Sequence, residues 1–320
     1  MSPGRSRRVL IMGLASPVGG RLAQRLELDP GIEKLLGIDT EAPHHRLQRT
    51  ECLRAASEPQ LLAPVLRAAR IDTVVDARPP RREAGPARSL IAALEAASPP
   101  VEKLVLSSSA HYYGYGAQAP AFLTEDAAVT PPGGEGLRRG VIEAEAAASK
   151  LTARRPGTTV TILRFAEEVG AEAGGPHMGL LGLPALPSVL GFDPRWQLVE
   201  EHDVVAALGH AVDRDLPGAF NVAADGVLAL SEIAELLHKA AVPLLPPFGI
   251  RGPLQVLRRA GLPAPLELLD ALRFGRGLDN RRFKSTGFAY RYTTREAILR
   301  LRDHQRGRAL PVLQRSLQDH

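Results

Sequence analysis

The apolar run Val9-Leu10-Ile11-Met12, followed at once by Gly13-Leu14-Ala15-Ser16-Pro17-Val18-Gly19-Gly20, constrains this chain more than any other feature. A strand that ends on glycine can turn sharply, because glycine tolerates backbone angles that other residues avoid. A glycine six residues later, Gly19, lets the next helix pack closely on that strand. The helix N-terminus then presents N–H groups and the positive end of its dipole to an anion such as a pyrophosphate. Asp39 closes the next apolar run, in Gly37-Ile38-Asp39-Thr40, twenty residues past Gly19. A carboxylate at that distance suits a hydrogen bond to an adenosine ribose, and it repels the 2′-phosphate that distinguishes NADP from NAD. The pattern nominates Gly13, Ser16, Pro17, Val18, Gly19 and Asp39 as cofactor-binding residues, with NAD as the cofactor. The competing explanation is a fold whose glycines serve packing alone.

Past the turn, short β-rich runs alternate with longer Ala/Leu/Arg segments at helical spacing. Strands are expected over 8–12, 34–39, 51–55, 73–77, 103–107 and 159–164, and helices over 18–27, 59–69, 86–97 and 137–153. Such alternation predicts βαβ units and an α/β fold, a Rossmann-type doubly wound parallel sheet. The pattern changes after Gly170. Residues 171–199 are rich in Gly and Pro, a helix is expected over 203–213 and a strand over 219–223. Further helical segments are expected over 231–240, 253–273 and 294–302. The expected organisation is a nucleotide-binding domain over 1–170, to which 200–223 returns. Residues 171–199 and 224–320 would form a smaller, discontinuous α+β domain of the substrate-binding kind.

Composition narrows the function classes. The formal charge of +5 and pI near 9.6 invite a nucleic-acid partner. Yet of 40 basic residues the lysines are Lys34, Lys103, Lys150, Lys239 and Lys284 alone, and the rest are scattered arginines. That usage, with abundant Ala, Gly and Pro, reads as the codon bias of a GC-rich bacterial genome. At 4% aromatic content stacking platforms are scarce, so no nucleic-acid partner is expected. The longest uncharged apolar run, 178–192, contains two prolines, Pro184 and Pro187, and is too short to cross a bilayer, so no membrane partner is expected either. No apolar stretch of the secretory kind comes after the basic residues 1–8. The single cysteine, Cys52, excludes an internal disulfide and a cysteine-built zinc site, which together suggest a cytoplasmic protein.

Several segments in order resemble the extended short-chain dehydrogenase/reductase family, the NAD-dependent epimerase/dehydratase group that includes UDP-glucose 4-epimerases. The turn resembles its GxxGxxG, with Ser16 at the middle glycine. Asp72-Thr73-Val74-Val75-Asp76-Ala77 resembles its fourth strand, which borders the cofactor, and Leu104-Val105-Leu106-Ser107-Ser108-Ser109-Ala110-His111-Tyr112-Tyr113-Gly114 resembles its serine motif. Val160-Thr161-Ile162-Leu163-Arg164, the segment 198–205, Gly218-Ala219-Phe220-Asn221-Val222, Gly287-Phe288 and the segment 292–297 resemble its later landmarks. The resemblance adds Ala77 and Ser107 to the cofactor set and makes Ser109 the counterpart of the catalytic serine. It implies a nucleotide sugar or small hydroxylated ligand, and a homodimer packed through the helices at 86–97 and 137–153.

The family's chemistry needs a Tyr-x-x-x-Lys, whose spacing puts both side chains on one helix face so that the ammonium lowers the phenol pKa. Here the helix reads Gly136-Leu137-Arg138-Arg139-Gly140-Val141-Ile142-Glu143-Ala144-Glu145. Aligned on Glu145, Leu137 and Val141 fall at the pair; slid by two, Glu135 and Arg139 do. Neither register restores it. An acidic residue expected to touch adenine is Ala56, and an Asn near substrate is Glu167, a carboxylate that would repel a diphosphate unless a cation intervenes.

The remaining candidates each have two explanations. Ser109 either holds a substrate hydroxyl or merely ends a strand. Tyr113 reads as a packing position, and His111 and Tyr112 as solvated neighbours of Ser109 or a replacement acid or base. His44 and His45 read as a surface pair rather than metal ligands, Asp203 as a helix N-cap rather than a cleft residue, and Glu143 and Glu145 as a solvated or salt-bridged helix face rather than a substitute base. Two functions are compatible with these residues: an NAD(H)-binding, epimerase/dehydratase-like protein whose catalytic residues have decayed into a cofactor-reading or scaffold role, or an active nucleotide-sugar enzyme or oxidoreductase using Ser109 and a non-standard base.

Overall fold

A computed structural model describes residues 6–56, 58–129, 136–245 and 266–318. Its centre is a seven-stranded parallel sheet built from β1 (Arg7–Met12), β2 (Ile32–Asp39), β3 (Glu51–Arg54), β4 (Thr73–Asp76), β5 (Lys103–Ser109), β6 (Thr159–Phe165) and, further along, β11 (Gly218–Val222). The spatial order β11-β6-β5-β4-β1-β2-β3 reverses direction between β1 and β4, the doubly wound arrangement expected from the alternation. In such a sheet ligands lie outside the C-terminal strand ends at the reversal, where Met12 and Asp76 are register partners.

Helices α1 (Pro17–Glu27), α2 (Pro59–Ala68), α3 (Gly85–Ala96) and α4 (Leu137–Arg154) cross between these strands, and α6 (Glu201–Asp213) leads into β11. Two apolar layers result. Val9, Ile11, Leu22 and Leu26 pack with Val204, Leu208 and Val212 on one face, while Leu10, Leu36, Leu62, Leu90, Leu94 and Leu151 fill the other. Alternate residues of β1 serve opposite layers, as the period of a strand dictates. The sixth expected strand runs to Phe165, and β11 adds a seventh where a strand over 219–223 is expected.

A second apolar core gathers Val169, Leu181, Leu186, Trp196, Leu198, Ile233, Leu269, Leu272 and Ile298. Around it lie β7 (Glu167–Val169), α5 (Pro176–Leu181), β8 (Leu186–Val189), β9 (Arg195–Trp196), β10 (Leu198–Glu200), β12 (Leu228–Ala229), α7 (Leu230–Leu236) and β13 (Ala241–Leu245). Then come α8 (Leu266–Phe274), α9 (Arg281–Lys284) and α10 (Thr294–Gln318). β7 pairs with β10 and β8 with β13 in parallel, and β9 with β12 antiparallel. The helix expected over 231–240 stops at Leu236, and 241–245 is a strand, because pairing with β8 overrides local propensity. Of the helix expected over 253–273, the part before 266 lies outside the described residues. No helix among the described residues is long and apolar enough to cross a membrane.

Candidate functional site

The glycine turn has the backbone its sequence requires. Gly13 sits at φ +87°, and a Cβ there would press on the backbone and side chain of Arg78 just past β4. A Cβ on Gly19 would run into the Gly13 carbonyl. Ser16 does not crowd the turn. Its hydroxyl folds back, donating to the Gly13 carbonyl at 2.7 Å and accepting from the Gly19 N–H at 3.0 Å, so the residue at the middle-glycine position is the N-cap of α1. Pro17 opens the helix at N1, where a missing N–H costs nothing, and Val18 follows half-buried. Asp39 turns its carboxylate to the turn, accepting from Ala15 N–H at 2.9 Å and from Thr40 N–H at 2.7 Å. Ala77 is buried beside the turn, its carbonyl 3.4 Å from the Ser16 hydroxyl. These residues form a cradle that fits a dinucleotide: Gly13 and Gly19 close the turn, Ser16 stays clear, and Asp39 stands at its rim.

Beyond the turn, Arg78 grips Asp76 through Nε at 2.7 Å and Nη2 at 2.6 Å. Together with Ser107, Ser108, Gly140 and Val141 they line a cavity of about 50 Å³. Gly140 admits the backbone of Arg81 and Arg82 against α4, an approach any Cβ would block. Val141 is thus an apolar residue facing the serine strand end, and Leu137 lies half-buried one turn earlier. In the other register Arg139 is exposed and paired with Glu143 at 2.8 Å, while Glu135 lies outside the described residues. Glu145 is more than the salt-bridged surface acid the sequence suggests. It is buried, bonds the Ser108 hydroxyl, and takes Arg164 of β6 bidentately at 2.8–3.1 Å.

Ser109 ends β5 and caps a one-turn helix, Ala110–Tyr112. Its Oγ accepts from the His111 N–H at 3.2 Å and lies 2.8 Å from His111 Nδ1. His111 is buried instead of solvated. Burial first, then Arg276 and His177, push its pKa down to about 4 against the opposing pull of Glu167, so the ring is neutral at neutral pH. Tyr113 is a packing position, its hydroxyl donating to Asn221 at 2.7 Å.

Glu167 follows β6 and centres a charged knot. Arg276 Nη2 lies 2.6 Å from it, His177 Nδ1 3.0 Å and Tyr115 OH 3.1 Å. Burial opposes its charge, yet His177 and Arg276 hold the carboxyl well below its usual range. The cation that a carboxylate needs at this position is therefore Arg276, 109 residues away in sequence. Neither Arg276, His177 nor Tyr115 carries a motif, and only Glu167 itself was visible as a departure. Arg276 also lines a groove of about 340 Å³ with Phe122, Asp193, Arg195, Arg273 and Phe274. Nε of Arg273 has no hydrogen-bond partner among the described residues, although its guanidinium lies 4.8 Å from the Phe274 ring centre.

Asp203 is not the cap of α6; Glu200 is, accepting from His202 N–H at 2.6 Å. Asp203 is buried one turn in and accepts from the N–H groups of Arg291 and Tyr292 at 2.9 and 3.1 Å. Glu200, Glu201 and His202 cluster closely enough for a metal, but Arg300 and His202 occupy Glu200, and Arg21 and the Glu172 N–H occupy Glu201. His44 is exposed, while His45 packs on Gly20.

The fold is that of solved nucleotide-sugar epimerases and dehydratases. A UDP-glucose-4-epimerase from Stenotrophomonas maltophila with bound NAD and formylated UDP-arabinopyranose superposes with a TM-score of 0.70 at 15% identity, over 95% of this chain and 99% of that one. A dTDP-glucose 4,6-dehydratase from Bacillus anthracis in complex with NAD gives 0.70 at 13%, over 94% and 97%. A UDP-glucose 4-epimerase from Thermotoga maritima with UDP-glucose gives 0.68 at 16%, over 94% and 99%. The chain belongs to one family with the uncharacterized protein Rv0501 of Mycobacterium tuberculosis and its Mycobacterium bovis counterpart Mb0513. Each is 33% identical over 326 residues, covering 95% of this chain and 85% of the relative. No family model matches the chain.

Proposed function

We propose that this protein binds NAD(H) at the glycine turn and a nucleotide sugar or similar hydroxylated ligand at the groove, with the family's usual catalysis lost to a cofactor-reading or scaffold role. One observation carries the cofactor assignment: Ser16 folds back into the cap, leaving the turn formed and Asp39 at its rim. Gly13, Ser16, Pro17, Val18 and Gly19 would hold the pyrophosphate, Asp39 the adenosine ribose, and Ala77 and Ser107 the path toward the nicotinamide. Bound NAD would supply reversible oxidation of a carbinol carbon. The chain's own contribution is to bind and orient it, since Leu137 and Val141 can neither take nor give a proton where a phenol and an ammonium are needed. Solved neighbours that hold NAD and UDP-sugars support both ligand classes. The groove's three arginines beside Phe122 and Phe274 suit a diphosphate and a planar base. We assign the second core to a smaller substrate unit over 171–199 and 224–320, and α3 with α4 to a homodimer face.

The test is calorimetric titration with NAD and NADP, together with mass spectrometry of denatured protein for co-purified nucleotide. NAD should bind more tightly; equal affinities or an NADP preference would overturn the assignment. A second reading, surviving proton transfer at Ser109, is favoured by the 2.8 Å approach of His111 Nδ1 to its hydroxyl.

A further inference from the structure

We propose that Ser109 and His111 form a proton-transfer pair: the imidazole takes the serine hydroxyl proton as the serine oxygen takes that of a bound hydroxyl. This rests on the second reading above. A helix cap needs Ser109 Oγ only as an acceptor, and the His111 N–H at 3.2 Å already meets that need. The 2.8 Å contact to Nδ1 is a separate contact of the same oxygen, and the pair proposed here makes the hydroxyl its donor. For Nδ1 to accept, the ring must be neutral with its hydrogen on Nε2, and burial together with Arg276 and His177 keeps it neutral.

Every charged group around the ring acts on the product of the transfer. Glu167 Oε1 lies 3.8 Å from Nδ1 and favours the imidazolium. His177, with ring centres 6.2 Å apart, faces the ring edge-on, and Tyr115 does so at 6.4 Å. Arg276 stands behind Glu167 at 2.6 Å and weakens its pull. Glu167 addresses the nitrogen that faces Ser109, not the far one, so this is not the Ser-His-acid chain of a hydrolase. Its geometry suits a reversible proton shuttle, with Ser109 as the contact residue and His111 positioned behind it. Because Arg276 also lines the open groove, an anion bound there competes with Glu167 for it and strengthens the pair.

The pair should make Ser109 reactive without any cofactor. With phenylmethanesulfonyl fluoride, the Ser109 Oγ–S bond forms, the S–F bond breaks, fluoride leaves, and the hydroxyl proton passes to His111 Nδ1 and then to solvent. Peptide mapping should find the adduct on Ser109, and His111→Gln should slow its formation about 100-fold, the low end for a positioned base. Arg276→Gln should move the inflection of the rate–pH profile upward from about 4. If His111→Gln does not fold, imidazole ¹⁵N NMR of the wild type decides: Nδ1 should be unprotonated at neutral pH and shift in Ser109→Ala. An unmodified Ser109, equal rates in His111→Gln, or a protonated Nδ1 would each overturn the proposal. None of these readouts needs NAD, so they stand or fall apart from the titration that tests cofactor binding.

Discussion

Glu145→Ala is the substitution whose cost the structure sets best. The side chains of Arg164 and Glu145 are 6% and 4% exposed, so the pair belongs with buried ion pairs and not with the surface ones that contribute little. Removing one partner of such a pair typically costs about 3–5 kcal/mol, because a charge is left without its counterpart. Arg164 keeps two neutral acceptors, Tyr113 OH at 2.8 Å and the Glu125 carbonyl at 3.0 Å, and its guanidinium stays 3.6 Å from the Tyr112 ring centre. Those contacts place the expected loss at the lower end, about 3 kcal/mol. For a chain of this size that is a fall in Tm of about 4–5 °C. Glu145→Gln keeps an acceptor for Ser108 and should lose less. Glu145→Ala with Arg164→Met removes both charges and should recover most of the loss. Urea unfolding with a double-mutant cycle measures all of these. A cost below about 1 kcal/mol for Glu145→Ala, or a double variant as unstable as the single, would refute a desolvated pair at this position.

Asp39→Ala should weaken NAD and narrow the gap to NADP in calorimetry, since it removes both a ribose acceptor and a repulsive charge. Leu137→Tyr with Val141→Lys puts an ammonium at a buried site, so it should lower the thermal midpoint of the free protein. Saturating NAD should raise that midpoint by more than in the wild type, and an equal rise would mean these positions do not face the cofactor. Burial, then Glu201 and Glu200 against Arg21, push Glu168 up to about 7. A carboxyl whose folded pKa lies above its unfolded value adds stability that is complete below the unfolded value and is lost as pH rises through about 7. Glu168→Gln should therefore flatten the urea midpoint between pH 5 and 8.

What the sequence revealed and what it hid divide by distance along the chain. The turn at Gly13–Gly19, its Asp39 and the strand–helix alternation are written in contiguous residues, and each element forms where its local chemistry points. The role of Glu167 was half legible. Its charge demanded a cation, but nothing local could say that Arg276 supplies it. His111 read as solvated because it follows a strand end in a loop, whereas its neighbours in space are Tyr115, His177 and Glu167. The strand at Ala241–Leu245 was hidden in the same way, since a parallel partner 55 residues earlier, Leu186, makes it a strand. Asp203 matched the cap preference of its residue type, but Glu200 reaches the helix end first.

The way Asp203 holds the segment at 291–292 also decides where this protein tolerates change. Among the described residues the carboxylate grips two main-chain N–H groups and no side chain, so the grip is indifferent to which residues carry them. In a saturation library, Arg291 and Tyr292 should accept nearly any replacement that leaves the N–H in place, and proline alone should fail for want of a donor. Position 203 should accept almost none, since asparagine offers a single acceptor where two are used. A mutational map would show one intolerant column facing two permissive ones, with the whole asymmetry coming from which end of the contact is backbone.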